Sequence, residues 1–407
     1  SPLPEASLAG GIAFIARGVC VFEDKLNHAQ RAGAIAALVW SDAERPEAVA
    51  MSVGAATLPA MMVSHADGLD LKRRLVARDG AEITLRFSAH PTFLNVSGLA
   101  SFSSKGPSVD ESIKPELVAV GTSFYTATQR GVAGGALFNA SGYLLTQGTS
   151  FSTPLVAGAA AVVKAARPGL AHAHYRSLLV NTAESIGSTV QQAGAGSLNL
   201  EAAVRSTLAA APASLNFRTG GADPRLARTL TLTNLGPTAE DFSLRVDAAS
   251  GSVAPRIGAP NLRLDPGRSA DVTVLLQGQS LSAGQYEGFV VATDPRTGQS
   301  LRVPYWYGIS SGAPRNITFL RDQSSGRRGA RIRLTFRITD ASGIVLPDSQ
   351  PVVSVVEGGG QADPVTSIHR SVPGAFNVNV TLGPGVGPNV FRLEAGEATR
   401  DITITGN

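Results

Sequence analysis

Residues 148–158 read G-T-S-F-S-T-P-L-V-A-G. The apolar run that follows predicts a helix from about Thr153 to Arg167, ended by Arg167-Pro168-Gly169. Ser150 then falls in the turn before the helix, and Pro154 in its first turn, where the missing N–H costs nothing. A helix N-terminus offers free backbone N–H groups and a partial positive charge. A serine placed there has an exposed hydroxyl, and its own amide can hold a developing oxyanion, as nucleophilic acyl transfer requires. Ala157, Gly158, Ala159 and Ala160 are small enough to let the helix pack closely beneath such a site. The commonest role of a serine before a helix is the N-cap, so the triplet alone decides nothing. A lipase-type elbow is excluded because position 152 is Ser rather than Gly, and a Walker loop because no G-K-S or G-K-T occurs.

The flanking sequence decides for the nucleophile. Ser101-Phe102-Ser103-Ser104-Lys105-Gly106-Pro107, Lys114-Pro115-Glu116-Leu117-Val118-Ala119-Val120-Gly121, then Asn181-Thr182-Ala183 and Gly194-Ala195-Gly196 bracket the serine in order. Over residues 95–203 this series resembles the subtilases, the subtilisin-like serine peptidases. Glu116 and Val120 depart from it, since the family usually has Asp and Pro there. The resemblance implies a secreted endopeptidase that acts through an acyl-enzyme on Ser150, with Leu145, Gln147, Gly148 and Thr149 bordering the substrate cleft. A serine nucleophile needs a base and an acid that orients the base. The family carries them in H-G-T and in D-T-G or D-S-G, and none of these strings occurs here. The six histidines, His28, His65, His90, His172, His174 and His369, lack the right surroundings and read as structural or solvated. Asn95 and Asn139 sit in no matching motif for the family's oxyanion-hole asparagine. The catalytic Asp, His and Asn are therefore expected upstream of residue 1, and this stretch alone is expected to be inactive.

The elements around the site fall into four textures, predicting a multidomain chain of α/β plus all-β parts. Residues 1–88 alternate short apolar strands (12–15 and 36–39) with a helical pattern over 25–32. The run A-G-G-I-A-F-I-A-R-G-V-C-V-F-E-D-K-L-N-H-A-Q-R-A-G-A-I-A-A-L-V-W resembles the protease-associated domain, which large subtilases insert between the catalytic His and Ser. Residues 89–211 are the C-terminal part of the subtilisin-like α/β core, with a second helix over about 173–181. The first helix is apolar nearly all round and is expected to be buried. Past the joint 209–212 the texture turns to β: Thr229-Leu230-Thr231-Leu232-Thr233 alternates and meets the turn Asn234-Leu235-Gly236-Pro237. With strands over 271–276, 288–293 and 301–307, residues 212–311 read as a β-sandwich resembling fibronectin-type-III-like modules. Residues 312–407 read as a second sandwich, resembling bacterial immunoglobulin-like modules, with strands over 331–339, 352–356, 375–382 and 389–394. Tyr305, Trp306 and Tyr307 on one strand fit core and edge packing better than a binding face.

Composition narrows the function classes. The chain has 407 residues, a hydrophobic fraction of 43% and a net charge of +4 with scattered basic residues, densest at Arg327 and Arg328. That distribution argues against nucleic acid as a partner. No apolar run reaches the roughly 18 residues of a membrane span. Cys20 is the only cysteine, so neither a disulfide within the chain nor a cysteine metal site can form. The resemblance to the protease-associated domain implies pairing of Cys20 with a cysteine nearer the start of that domain; a buried free thiol is the alternative. No cofactor is identified, and structural calcium cannot be read. The expected partners are polypeptide substrates, with docking to a cell surface or extracellular matrix through the C-terminal domains. The competing class is a binding or adhesion protein built on a degenerate peptidase core; H-G-T and D-[ST]-G motifs upstream would separate the two.

Overall fold

A computed structural model describes all residues except 1–2, 19, 44–45, 50, 52, 78–81, 87–97, 109, 134, 136 and 369–371. His90, His369 and Asn95 lie outside the described residues. The chain divides into two compact units, residues 1–103 with 119–158, and residues 104–118 with 159–407.

In the first unit, β1 (Ile12–Ala16), β2 (Ala36–Trp40) and β3 (Ala60–Val63) form a parallel sheet in that order. Parallel neighbours need a crossover, and α1 (Phe22–Arg31) supplies it between β1 and β2. β2 is the central strand and is almost wholly buried, which explains its unbroken apolar run. Leu26 and Ala29 of α1 pack with Ala13, Ala37, Val39 and Leu58 into the core. Glu23 and Asp24 in the first turn of α1, with His28 and Arg31 in its last, complement the helix dipole. α2 (His65–Ala77) follows β3. A separate antiparallel hairpin, β4 (Phe124–Ala127) and β5 (Tyr143–Thr146), leads into α3 (Thr149–Ala166).

The second unit contains α4 (His172–Asn181), α5 (Val190–Ala193), α6 (Leu200–Arg205) and two β-sandwiches. The first sandwich is built from β6 (Leu208–Ala211), β7 (Leu215–Thr219), β8 (Arg225–Asn234), β9 (Glu240–Ala248), β10 (Arg256–Ile257), β11 (Asn261–Leu264), β12 (Ser269–Gln277), β13 (Gly284–Thr293) and β14 (Ser300–Ile309). Its sheets run β10-β12-β8-β6 and β11-β9-β13-β14-β7. The composition change read at 209–212 falls on β6, which pairs with β8 inside this sandwich. The second is built from β15 (Asn316–Arg321), β16 (Ser325–Gly326), β17 (Arg331–Thr339), β18 (Val352–Glu357), β19 (Gln361–Ala362), β20 (Thr366–Ser367), β21 (Ala375–Thr381), β22 (Gly387–Ala395) and β23 (Ala398–Gly406). Its sheets run β15-β17-β21-β19 and β16-β23-β22-β18.

Tyr305, Trp306 and Tyr307 are all buried, because both faces of β14 are covered. Tyr305 and Tyr307 enter the core of the first sandwich. Trp306, pointing the other way as strand alternation requires, packs against Ile113, Val190 and Ile344.

Two expectations need correction. Helix α3 starts at Thr149 rather than Thr153, so Ser150 lies inside its first turn rather than in the turn before it, and Pro154 lies in the second turn. Proline there offers no N–H to the carbonyl four residues back, that of Ser150. The helix is also not buried all round. Among the described residues only Ala159 and Val163 on it are fully buried, and Val162 is 48% exposed. Apolar composition set the expectation, but burial needs a partner surface, and most of α3 has none here.

Candidate active site

Ser150 is the second residue of α3 and is exposed. Helix geometry leaves the first N–H groups without intrahelical acceptors, so the Ser150 amide is among the free donors at this end. Two glycines place it. Gly148 has φ +145, a backbone region that side chains rarely adopt, and its N–H donates to the Gly121 carbonyl at 2.7 Å. Gly121 needs its bareness for a different reason. A Cβ there would lie 2.3 Å from Ser152 Oγ and 3.1 Å from Gly148 O. The end of the K-P-E-L-V-A-V-G segment is thereby pressed against the start of α3. Phe151 N–H donates to Gly148 O at 3.0 Å, and the Phe151 ring stacks on Phe124 of β4 at 5.7 Å. Thr153 Oγ1 closes the turn on Thr149 O at 3.0 Å.

Leu145 is 48% exposed, Thr149 is exposed, and Gln147 and Gly148 are half-buried. These four and Ser150 run from the end of β5 through the two-residue link Gln147-Gly148 into the first turn of the helix. On the same face of the hairpin as Leu145, Tyr125 and Tyr143 stack at 5.6 Å.

The remaining motif segments meet one another in the second unit. Gly106 N–H donates to Gln191 O at 2.8 Å, Ala195 N–H to Glu116 O at 2.9 Å, and Val118 N–H to Gly196 O at 2.9 Å. Leu198 N–H donates back to Val118 O at 2.8 Å. Glu116 pairs with Arg176 and lies 3.6 Å from Lys114.

None of the described histidines comes near a catalytic arrangement. His65 Nδ1 lies 2.9 Å from Ser41 O and its ring stacks on Trp40; His28 sits on α1, and His172 and His174 open α4. Asn139 is a turn residue whose Oδ1 accepts from Ser141 N–H at 2.9 Å. Cys20 is exposed, which removes the reading of a buried thiol. Among the described residues no group of three or more His, Cys, Asp or Glu could hold a metal ion. No helix among them is long and apolar enough to cross a membrane.

Sequence reasoning missed the Gly121–Ser152 approach and a buried polar network behind α4. Ser177 Oγ donates to Asn181 Oδ1 at 2.9 Å and accepts from Ala210 N–H at 2.7 Å. Asn181 Nδ2 donates to Ala213 O at 2.8 Å and Arg302 O at 3.0 Å. The only local sign of this network was a serine and an asparagine four apart on a helix that otherwise reads as apolar.

Residues 23–220 match the model of the subtilase family, Peptidase_S8. The chain is 26% identical over 299 residues to the minor extracellular protease Vpr of Bacillus subtilis (strain 168), covering 70% of this chain and 36% of that protein. It is 34% identical over 152 residues to a C5a peptidase of Streptococcus pyogenes serotype M3, covering 37% of this chain and 12% of that protein. The chain thus spans well under half the length of both relatives. Among solved structures, that of Yersinia pseudotuberculosis InvD aligns with 49% of this chain and 57% of its own at 17% identity and a TM-score of 0.23, a likeness too weak to assign a fold. The family match and the two proteases support a subtilisin-like serine peptidase.

Proposed function

We propose that this chain is the nucleophile-bearing part of a secreted serine endopeptidase that hydrolyses polypeptides through an acyl-enzyme on Ser150. The observation that carries this reading is the exposed Ser150 at the free-donor end of α3, held there by Gly148 and Gly121. In the proposed reaction Ser150 Oγ attacks the scissile carbonyl carbon while its proton passes to a histidine base. The Ser150 N–H and an asparagine side chain hold the oxyanion. The C–N bond breaks as the base returns the proton to the leaving amine, and water then cleaves the ester by the reverse proton path. The base, its orienting Asp and the asparagine belong to polypeptide that precedes residue 1. Leu145, Gln147, Gly148 and Thr149 border the cleft. Residues 1–88 act as a protease-associated insert, and the two sandwiches as fibronectin-type-III-like and bacterial immunoglobulin-like docking modules. The name of the Bacillus relative supports an extracellular setting.

The test is turnover of a peptide substrate by the protein extended with its upstream catalytic sequence. Ser150→Ala should lower kcat by about 10⁶-fold, the loss that subtilisin itself shows without its nucleophile. Ser152→Ala should retain activity, since its hydroxyl faces Gly121. Equal losses from both substitutions, or retained turnover in Ser150→Ala, would overturn the assignment.

A further inference from the structure

Strand β17 lies inside its sheet, between β15 and β21. Ile332, Leu334, Phe336 and Ile338 enter the core of the second sandwich. Strand alternation therefore puts Arg331, Arg333, Thr335 and Arg337 on the outer face, about 7 Å from one to the next. Register sets Asn379 of β21 opposite Arg333, and Arg321 of β15 opposite Thr335. At this end of the sheet a hollow of about 580 Å³ is lined by Arg321, Asp322, Gln323, Arg331, Arg333 and Asn379 over the buried Ile332.

Three features of the hollow define a ligand. First, its cations are all arginines, and residues 313–407 contain no lysine. A planar guanidinium matches the two oxygens of a carboxylate, whereas an ammonium serves only as a point charge. Second, the charge is not neutralised locally. Arg331 pairs with Asp363, but among the described residues neither Arg321 nor Arg333 has a carboxylate within ion-pair distance. Arg333 Nε makes only a 3.4 Å contact with Asn379 Oδ1. Third, the arginines are mixed with two primary amides and one carboxylate, Asp322. A ligand carrying only oxyanions would be repelled by Asp322; one that also carries hydroxyls gives that carboxylate a donor, and the amides, whose nitrogens already donate to Ser325 O and Asp363 Oδ2, offer their oxygens as acceptors.

Sugar acids combine these groups. We propose that the hollow binds a uronic-acid polysaccharide, its carboxylates taken by Arg321 and Arg333 and its hydroxyls by Asp322, Gln323 and Asn379. Nucleic acid fits less well, because no aromatic side chain lines the hollow to stack a base. A membrane surface fits less well, because no exposed apolar side chain there could enter lipid. The site would tether the chain to an acidic glycan matrix, and it stands apart from the peptidase reading.

Binding is measured by calorimetry on the 407-residue chain at 0.15 M salt, with oligogalacturonate, a neutral malto-oligosaccharide, a sulfated dextran and polyphosphate as probes. Oligogalacturonate should bind, the neutral sugar should not, and the sulfated and phosphate polymers should bind more weakly. The pair Arg321→Gln and Arg333→Gln should weaken oligogalacturonate at least about tenfold, as expected for lost charge-assisted bonds. The pair Arg327→Gln and Arg328→Gln removes the same charge outside the hollow and should weaken it less than about threefold, because salt screens distant charge. Asp322→Asn should weaken oligogalacturonate while tightening polyphosphate. All these side chains are exposed, so unchanged thermal unfolding serves as the folding control. Absence of binding to oligogalacturonate, equal losses from the two arginine pairs, or polyphosphate or sulfated dextran bound as tightly as oligogalacturonate would each overturn the assignment.

Discussion

Helices α3 and α4 come from the same subtilase-like stretch, yet they differ in how much of themselves they hide. α4 buries Ser177, Leu178, Leu179, Val180 and Asn181, half of its ten residues. α3, with 18 residues and a more apolar sequence, fully buries two. The difference lies in their partners. α4 meets α6, β6 and β14, and Ser177 and Asn181 bond to backbone groups of the first sandwich and its approach. α3 carries an uncovered apolar side that includes Val162, and exposed Tyr125, Tyr143 and Leu145 sit on the hairpin that feeds it. Composition makes a helix able to be buried; only a facing surface buries it. Under the proposed function, that surface is the rest of a catalytic core.

The sharpest way to break this comparison is to cut the same kind of side chain from each helix. Leu178→Ala removes a side chain with no exposure and should lower the unfolding free energy by about 3 kcal/mol. Val162→Ala should change it by less than about 0.5 kcal/mol in the 407-residue chain, as exposed sites do. Denaturant titration of both variants checks this. A comparable loss from Val162→Ala would show that α3 is covered after all.

A smaller effect sharpens the α4 side. Glu287 of β13 is buried and accepts the Val190 N–H at 3.1 Å, at the start of α5. Burial raises its carboxyl above the ordinary 4.5, against the lowering effect of the Val190 and Gln191 N–H groups. The folded chain therefore keeps this proton to higher pH than the unfolded chain does. The group's contribution to stability is greatest below the unfolded value and declines as pH rises through the folded one. Glu287→Gln should flatten that part of the stability–pH curve and gain relative stability above it, as thermal unfolding across pH would show. An unchanged slope would mean that Glu287 is not held in a desolvated setting.

What the sequence made legible was local. Strict alternation over Thr229–Thr233 lies inside β8, which ends at the turn beginning with Asn234, and the strand read over 331–339 is β17. The R-P-G stop ended α3 within one residue of Ala166. What stayed hidden was non-local. Gly121 and Ser152 are 31 positions apart, and no pattern near either announces that a Cβ on one would strike the other. The early start of α3 was missed because Pro154 was read as a first-turn residue, its usual place, whereas here the helix runs through it. The Arg-lined hollow was invisible because its residues come from β15 and the link after it, β17 and β21, and are brought together by strand register.

The central claim, that Ser150 is a nucleophile whose base comes from further polypeptide, is tested most directly by fluorophosphonate labelling with the modified residue mapped by mass spectrometry. The 407-residue chain should take up no label, because a serine without its base is a poor nucleophile at neutral pH. The chain extended by its upstream catalytic sequence should carry one label, on Ser150, and lose it in Ser150→Ala. Labelling of Ser152 or any other serine in the extended protein, or its failure to label while folded, would contradict the account.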